Sequence, residues 1–173
     1  MRRKIFAHAG VLALIVPMSC HAVETLCTST ETVYFSCRVN QLGRLVSLCG
    51  TSLEAPELFT LQYRIGKRNQ LELAYPVPAS SFSTSGFEVG YFRRPRGFDT
   101  EVSFSHSGWS YRIFHWAPPA DPDPDQANND KYRSGVFVGR NKSGPGTTVA
   151  CLSSPHLGKN NAFFTLAVTY GKE

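Results

Sequence analysis

The chain has 173 residues, with 18 basic and 13 acidic side chains and a formal net charge of +5. This length allows one domain with a real hydrophobic core. Three of the basic residues lie in the first 22 residues, so the remaining chain has fifteen basic against thirteen acidic residues and a net charge of only +2. Bulk charge therefore gives no basis for binding nucleic acid, and no nucleic-acid partner is predicted.

Residues 1–22 have the layout of a cleavable signal peptide. Three basic residues are followed by an apolar stretch from Ala9 to Met18, and a small residue, Ala22, closes the segment. The stretch is shorter than the roughly 20 residues of a membrane-spanning helix and is interrupted by Pro17, so no permanent membrane anchor is predicted. A twin-arginine signal and a lipid-modified Cys20 are the alternatives, and both fit the flanking residues poorly. We expect export to the periplasm or secretion, with 23–173 as a single β-rich domain.

A β-hairpin is predicted directly after the first cysteine of the exported part. Residues 32–39 place apolar side chains on every second position, 40–43 form a turn, and 44–49 return as a second strand. The alternation puts Cys37 on the core face and Cys49 on the opposite face, near the open end of the hairpin where Cys27 enters.

Two disulfides are predicted, because four cysteines remain in an exported chain without C-x-x-C or H-x-x-x-H spacing for zinc. We favour the pairs Cys27–Cys49 and Cys37–Cys151, and the other two connectivities stay open.

The rest of the chain reads as further short strands separated by Gly, Pro, Asn and Ser. They are predicted at 59–65, 70–75, 100–105, 109–115, 134–139, 147–152 and 163–170. No window shows a clean helical stripe, which favours an all-β fold: a single antiparallel sandwich or barrel of about eight short strands, stapled by two disulfides. The longest irregular segments, Pro76–Gly97 and Ala117–Lys131, are expected on the surface.

One loop has the alternating carboxylates that can bind a hard cation. Asp121, Asp123 and Asp125 alternate with prolines, but Gln126 and Tyr132 stand where an EF-hand loop needs Gly and Glu. The stiff proline-rich backbone favours a solvated acidic loop. We therefore predict no metal site and no cofactor.

Clustered arginines provide the main candidate binding feature. Arg93, Arg94 and Arg96 surround Pro95 and follow Tyr91, a grouping that can hold a phosphate, a polyanion or an acidic protein surface. A simply solvated loop is the competing interpretation. Two tryptophans, Trp109 and Trp116, complete the set of candidate anchors.

No catalytic residues are predicted. The exported part contains His106, His115 and His156 and many serines, but no G-x-S-x-G turn. An enzyme remains a competing hypothesis, as a cell-envelope hydrolase acting on glycans or peptides. A pocket that holds His106 or His115 beside a carboxylate would favour it.

Several short sequence phrases, in matching order, resemble a group of small exported, β-rich, cysteine-containing bacterial proteins to which we can attach no activity. The phrases are Phe35-Ser-Cys37, Val46-Ser-Leu-Cys49, Leu61-Gln-Tyr-Arg-Ile-Gly66, Leu71-Glu-Leu-Ala-Tyr-Pro76, Trp109-Ser-Tyr-Arg-Ile-Phe114, Gly135-Val-Phe-Val138 and Cys151. The loop at 117–131 and the chain after Pro155 depart from that pattern. The resemblance implies a periplasmic or secreted bacterial protein and no particular activity.

A shorter stretch, Ser107-Gly-Trp-Ser-Tyr111, is similar to the S-G-x-x-Y motif of the periplasmic C-type lysozyme inhibitors, which are small disulfide-bonded β-barrels. In that family the motif enters an enzyme cleft, so the resemblance implies a binding role for Ser107 and Tyr111. The family's companion lysine-glycine segment has no clear counterpart, although Lys142 lies in a Gly-rich turn. A cross-strand aromatic in the core is the alternative interpretation of Tyr111.

These observations together predict a non-enzymatic exported binding module, such as an enzyme inhibitor or an immunity-type protein whose partner is a periplasmic or foreign enzyme. The alternatives are the envelope hydrolase and a structural component of the cell envelope. The anchors we would test are Tyr91, Arg93, Arg94, Arg96, Trp109 and Trp116.

Overall fold

The protein is described here from a computed structural model, which defines residues 23–40, 42–94, 97–117, 133–140 and 144–171. The predicted signal peptide, the acidic loop of Asp121, Asp123 and Asp125, Lys142 and Arg96 lie outside these residues. Within them, nine strands and one α-helix form, in the order β1 Thr32–Arg38, β2 Leu45–Gly50, β3 Thr60–Lys67, β4 Gln70–Ser81, β5 Glu88–Arg94, β6 Gly97–His106, β7 Trp109–Ala117, β8 Arg133–Gly139, β9 Gly146–Ala150 and α1 Ala162–Tyr170.

The strands form two antiparallel sheets in strict chain order. The first sheet has the order β1-β2-β3-β4 and the second has the order β5-β6-β7-β8-β9. The chain passes from one to the other through a short 3-10 helix, Phe82–Thr84. The prediction of an all-β antiparallel fold stapled by two disulfides is confirmed, and eight of the nine predicted strands are present with small differences at their ends.

Aromatic side chains fill the space between the sheets. Tyr63 on β3 and Tyr75 on β4 pack against Phe104 on β6, with ring centroids 5.1 and 4.5 Å away, and Phe104 stacks in turn on Tyr111 of β7 at 4.8 Å. Each ring comes from an inward position of an alternating strand, and edge-to-face and offset-stacked aromatic pairs of this kind stabilise a core beyond the area they bury. We call the faces that meet in this core the inner faces.

The outer face of the first sheet is covered by the chain that precedes it. The part-buried Arg64 guanidinium donates to the Leu26 carbonyl at 2.8 Å and forms an ion pair with Glu31 at 2.6 Å. Ser36 Oγ donates to the Glu24 carbonyl at 2.7 Å, and the Leu26 amide donates to Ser47 Oγ at 2.9 Å. Both faces of β2 are therefore buried, which explains why its polar residues are as inaccessible as its apolar ones.

Both predicted disulfides form. Cys27 is bonded to Cys49 and ties the covering N-terminal segment to β2. Cys37 is bonded to Cys151, which follows β9 directly, so this bridge joins the first sheet to the second. The predicted assignment of Cys37 to the core face is also correct, since Cys37 belongs to the buried core.

The prediction of a strand at 163–170 is wrong, because these residues form α1. The residues that it buries, Phe163, Leu166 and Ala167, follow the helical spacing of three and four. The helix begins after Asn160 and Asn161, both with positive φ, and packs against β1, β5 and β6. Tertiary packing of this stripe outweighs the β-propensity of Phe, Val and Thr in the segment.

The prediction that Pro76–Gly97 is irregular is also wrong for much of this segment. Strand β4 continues through both prolines to Ser81, which an edge strand tolerates, and Glu88–Arg94 form β5. The alternation of Val89 and Tyr91 on the inner face is the strand signal, and the surrounding Gly, Ser, Pro and Arg residues conceal it.

Candidate functional site

The predicted anchors separate into two groups at opposite ends of the second sheet. Ser107 and Trp109 lie where β6 turns into β7, whereas Arg93, Arg94 and Trp116 lie at the far ends of β5 and β7. Strand β6 is ten residues long and connects the two ends. At about 3.3 Å per residue the groups are therefore about 30 Å apart and do not form one site.

The first group forms what we call the hairpin tip: Ser107, Gly108, Trp109 and Arg140. His106 and Trp109 are paired across a two-residue turn in which Ser107 has φ 49° and Gly108 has φ 76°. Positive φ at both central residues defines the type I′ turn, whose twist matches that of the flanking strands. A Cβ at Gly108 would contact nothing within 4 Å, so backbone conformation alone requires glycine there.

Trp109 is the main exposed feature of the hairpin tip. Its side chain is 39% exposed, and the guanidinium of Arg140, the residue after β8, lies 4.9 Å from the ring centroid. A cation over an indole face is attracted by the ring quadrupole, by about 0.5–1 kcal/mol at an exposed site. Neighbouring strands thus present an aromatic side chain and a positive charge as one unit.

Tyr111 does not belong to the hairpin tip. It lies directly opposite Phe104 in the strand pair, stacks on that ring and also contacts Tyr63 at 5.9 Å between centroids. The cross-strand interpretation therefore describes its surroundings, and of the two residues taken from the S-G-x-x-Y motif only Ser107 is at the turn itself.

The second group, the arginine end, combines exposed cations with aromatic rings. Arg93 and Arg94 are exposed at the end of β5, and Arg94 Nε donates to Asp99 Oδ2 at 2.6 Å. Trp116 is part-buried on β7 and is paired in register with Asp99 on one side and Arg133 on the other. Tyr91 is stacked on Phe98 at 5.6 Å on the inner face. Asp99 offsets part of the positive charge, so this end is less strongly basic than the sequence indicates.

The three histidines lie in different surroundings. His115 is buried, with Nδ1 2.8 Å from Ser134 Oγ on the adjacent strand, and burial lowers its pKa to about 4. The small cavity of about 210 Å³ beside it is lined by apolar and neutral side chains. His106 packs on the Tyr75 ring at 5.1 Å, and His156 bridges to Ser36 in the backbone. A pocket that holds His106 or His115 beside a carboxylate is not found in the described part of the chain.

Sequence reasoning missed a charged pair in the middle of the outer face of the second sheet. Arg112 Nη1 lies 3.9 Å from Glu101 Oε2, and the guanidinium covers the Phe137 ring at 5.1 Å. Burial raises the pKa of Glu101, while Arg112 lowers it only in part. Both residues occupy outward positions of the β6–β7 hairpin, so the Ser107-Gly108 turn was the signal that could have placed them together.

A cleft of about 620 Å³ lies beside β5 and contains two carboxylates, Glu88 and Glu101, among aromatic residues that include Phe92 and Tyr170. Among the described ranges, no group of three or more His, Cys, Asp or Glu side chains could hold a metal ion. The same ranges contain no helix that is long and apolar enough to cross a membrane.

Comparison of the chain with family models, with curated proteins and with solved structures finds no match.

Proposed function

We propose that this protein is an exported binding module that docks onto a protein partner through the hairpin tip, as an enzyme inhibitor or immunity-type protein does. The observation that carries the proposal is the Trp109–Arg140 pair, an exposed indole held at a two-residue turn with a guanidinium 4.9 Å over its ring. Tryptophan and arginine are the residue types most enriched at the energetic centres of protein interfaces. The pairing of Trp109 with His106, and of Ser110 with Gly139, positions the two side chains before binding, which reduces the entropy that binding costs.

The shape and charge of the hairpin tip fit the active-site cleft of an enzyme. A two-residue turn is narrow and convex, and Arg140 supplies a positive charge that suits the carboxylates of a glycoside hydrolase. The similarity of Ser107-Gly-Trp-Ser-Tyr111 to the motif of C-type lysozyme inhibitors supports the same class of partner. In this proposal Ser107 contacts the enzyme, whereas Tyr111 supports the hairpin from the core.

The test is an inhibition and pull-down assay against a panel of lysozymes and a periplasmic extract, with the exported and oxidised chain as bait. We expect one enzyme to be retained and inhibited by the wild type, and binding to weaken at least tenfold in Trp109→Ala and in Arg140→Ala. Arg93→Ala is the matched control, because Arg93 is an exposed arginine at the opposite end of the sheet. An enzyme bound equally well by Trp109→Ala, or no enzyme bound at all, would contradict the proposal.

Export is part of the same proposal. Its support is the signal-like segment 1–22 together with two disulfides, which persist in oxidising compartments. Expression in a bacterium followed by fractionation and N-terminal sequencing tests it. We expect periplasmic or secreted protein that begins at Val23, and a cytoplasmic chain that retains Met1 would contradict it.

An envelope glycan hydrolase is the second candidate, and the cleft beside β5 is the observation that favours it. Glu88 and Glu101 line this cleft from diagonal positions of paired strands, a Cα spacing of about 7–8 Å. A carboxyl group with a raised pKa is suited to act as general acid beside a second carboxylate. Release of sugar from peptidoglycan that Glu101→Gln abolishes, but that Glu72→Gln on the first sheet leaves intact, would favour this function.

A further inference from the structure

The four edges of the two sheets differ in how they are covered. The edge of β1 pairs with the chain after β9, where the Ser36 and His156 backbones exchange two hydrogen bonds of 2.8 Å and the Leu152 amide donates to the Arg38 carbonyl. Strand β4 carries Pro76 and Pro78, which block strand addition. Strand β9 has only five residues. Strand β5 has seven residues without proline, and none of the described segments pairs with its outer edge.

The β6–β7 turn determines the direction in which the backbone N–H and C=O groups of β5 point. His106 and Trp109 flank the two-residue turn and form its hydrogen-bonded pair, which sets the alternation across the whole sheet. Carried through the register, the N–H and C=O groups of Val89, Tyr91 and Arg93 point away from β6. The same alternation points the Ser134 carbonyl toward β9, and there it accepts from the Cys151 amide at 2.9 Å, as expected.

Exposed apolar side chains flank the β5 edge on both faces. On the outer face Phe92 is 37% exposed, and on the inner side α1 leaves Phe164 and Val168, four residues apart, 37% and 59% exposed. Phe164 contacts the Tyr91 ring at 5.4 Å between centroids, so the helix stripe and the strand edge form one surface. A free edge beside an apolar stripe is a surface suited to strand addition.

We propose that a second copy of this chain pairs with the β5 edge, antiparallel and centred on Tyr91, to make one continuous ten-stranded sheet. In this register Glu88 lies opposite Arg94 of the second copy, Gly90 lies opposite Phe92, and Tyr91 lies opposite Tyr91. The sequence of β5, Glu-Val-Gly-Tyr-Phe-Arg-Arg, is thus complementary to itself in charge, and the guanidinium of Arg94, which donates through Nε to Asp99 of its own chain, has further donors for the second copy.

The same register is closed by a two-fold axis, which limits assembly to a dimer. The axis relates the two Phe92 rings on the outer face and the two Phe164 and Val168 stripes on the inner side. The six outward N–H and C=O groups of Val89, Tyr91 and Arg93 in each chain then gain hydrogen-bond partners. Charged residues at a sheet edge usually prevent pairing, but here Glu88 and Arg94 form two attractive pairs across the interface. An unrelated strand would place the matching opposite charges against Glu88 and Arg94 only by chance.

The test is sedimentation velocity on the exported, oxidised chain at micromolar to submillimolar concentrations. We expect the wild type to form a dimer. In Arg94→Glu the dimer dissociation constant should rise at least about tenfold, because each dimer then contains two pairs of opposed glutamates. The double variant Glu88→Arg with Arg94→Glu restores the opposite charges and is expected to restore the dimer. Positions 88 and 94 are about 20 Å apart within one strand, so this rescue requires a second chain.

Proline variants supply a control that does not depend on charge. Arg93→Pro removes an outward amide from the β5 edge and is expected to give a monomer, whereas Thr148→Pro removes an outward amide from the β9 edge and is expected to leave the dimer intact. Near-ultraviolet circular dichroism checks that each variant is folded. A wild type that stays monomeric throughout the concentration range, or a dimer that Arg94→Glu does not weaken and the double variant does not restore, would overturn the proposal.

Discussion

Removing the two disulfides separately should have unequal effects on stability. The Cys37–Cys151 bridge closes a loop with a sequence separation of 114, and the Cys27–Cys49 bridge one of 22. If a bridge acts mainly by restricting the unfolded chain, the loop-closure relation gives about 4.8 kcal/mol for the long loop and about 3.4 kcal/mol for the short one at 25 °C. The retained bridge offers no appreciably shorter path between the separated cysteines, so each value applies to its own double variant.

The assay is urea unfolding followed by tryptophan fluorescence. Cys37→Ala with Cys151→Ala should lose about 1.5 kcal/mol more free energy of unfolding than Cys27→Ala with Cys49→Ala. The dependence on urea must stay linear in both variants for the comparison to hold. If the variant without the Cys27–Cys49 bridge is equally or more destabilised, loop closure does not govern the effect, and attachment of the N-terminal segment to β2 is the larger contribution.

Three further perturbations test other parts of the fold. Because burial lowers the pKa of His115 to about 4 from an unfolded value of 6.5, the unfolded state binds more protons between these values, so stability is lost as the pH falls through this window. This loss amounts to about 3 kcal/mol, and urea unfolding at pH 7 and pH 4 should show it in the wild type but not in His115→Gln. Arg64→Ala leaves Glu31 part-buried without its cation and should cost about 2–4 kcal/mol, whereas Arg38→Ala, which removes an exposed ion pair with Glu24, should change the urea midpoint little. Gly108→Ala places a Cβ at φ 76° and should cost about 1–2 kcal/mol in the same assay, while Gly108→Asn should cost less; equal costs for the two would show that backbone conformation is not the cause.

Alternation and turn residues were enough to predict eight strands and both disulfides. The register of the first hairpin follows the alternation of Phe35 to Val39, which determines which cysteines share a face, whereas a β-bulge between Val33 and Phe35 removes Val33 from the predicted alternation. Prediction failed where local pattern and tertiary packing disagree. In α1 the residues alternate like a strand, but the gap at the edge of the sandwich is filled by Phe163, Leu166 and Ala167 at helical spacing.

The sequence predicted most of the residues of the candidate site, but not which of them lie close together. Trp109 and the arginines at 93 and 94 are exposed as expected, yet the length of β6 separates them. Arg140 was not predicted, because its place over Trp109 depends on the register between β7 and β8, and no single segment carries that information. Pairings between distant segments are the part of a β-fold that local pattern specifies least.

The cover over the β1 edge also determines when this chain can fold. Strand β1, which begins at Thr32, is completed by residues 151–156, which hydrogen-bond to it and carry the cysteine that joins Cys37. Such distant contacts form slowly, since the intervening chain must first be brought together. The sandwich therefore closes only after the chain has been synthesised beyond His156. Until then the edge of β1 has no partner, and a truncation before Cys151 should leave β1 as an unpaired edge prone to aggregation.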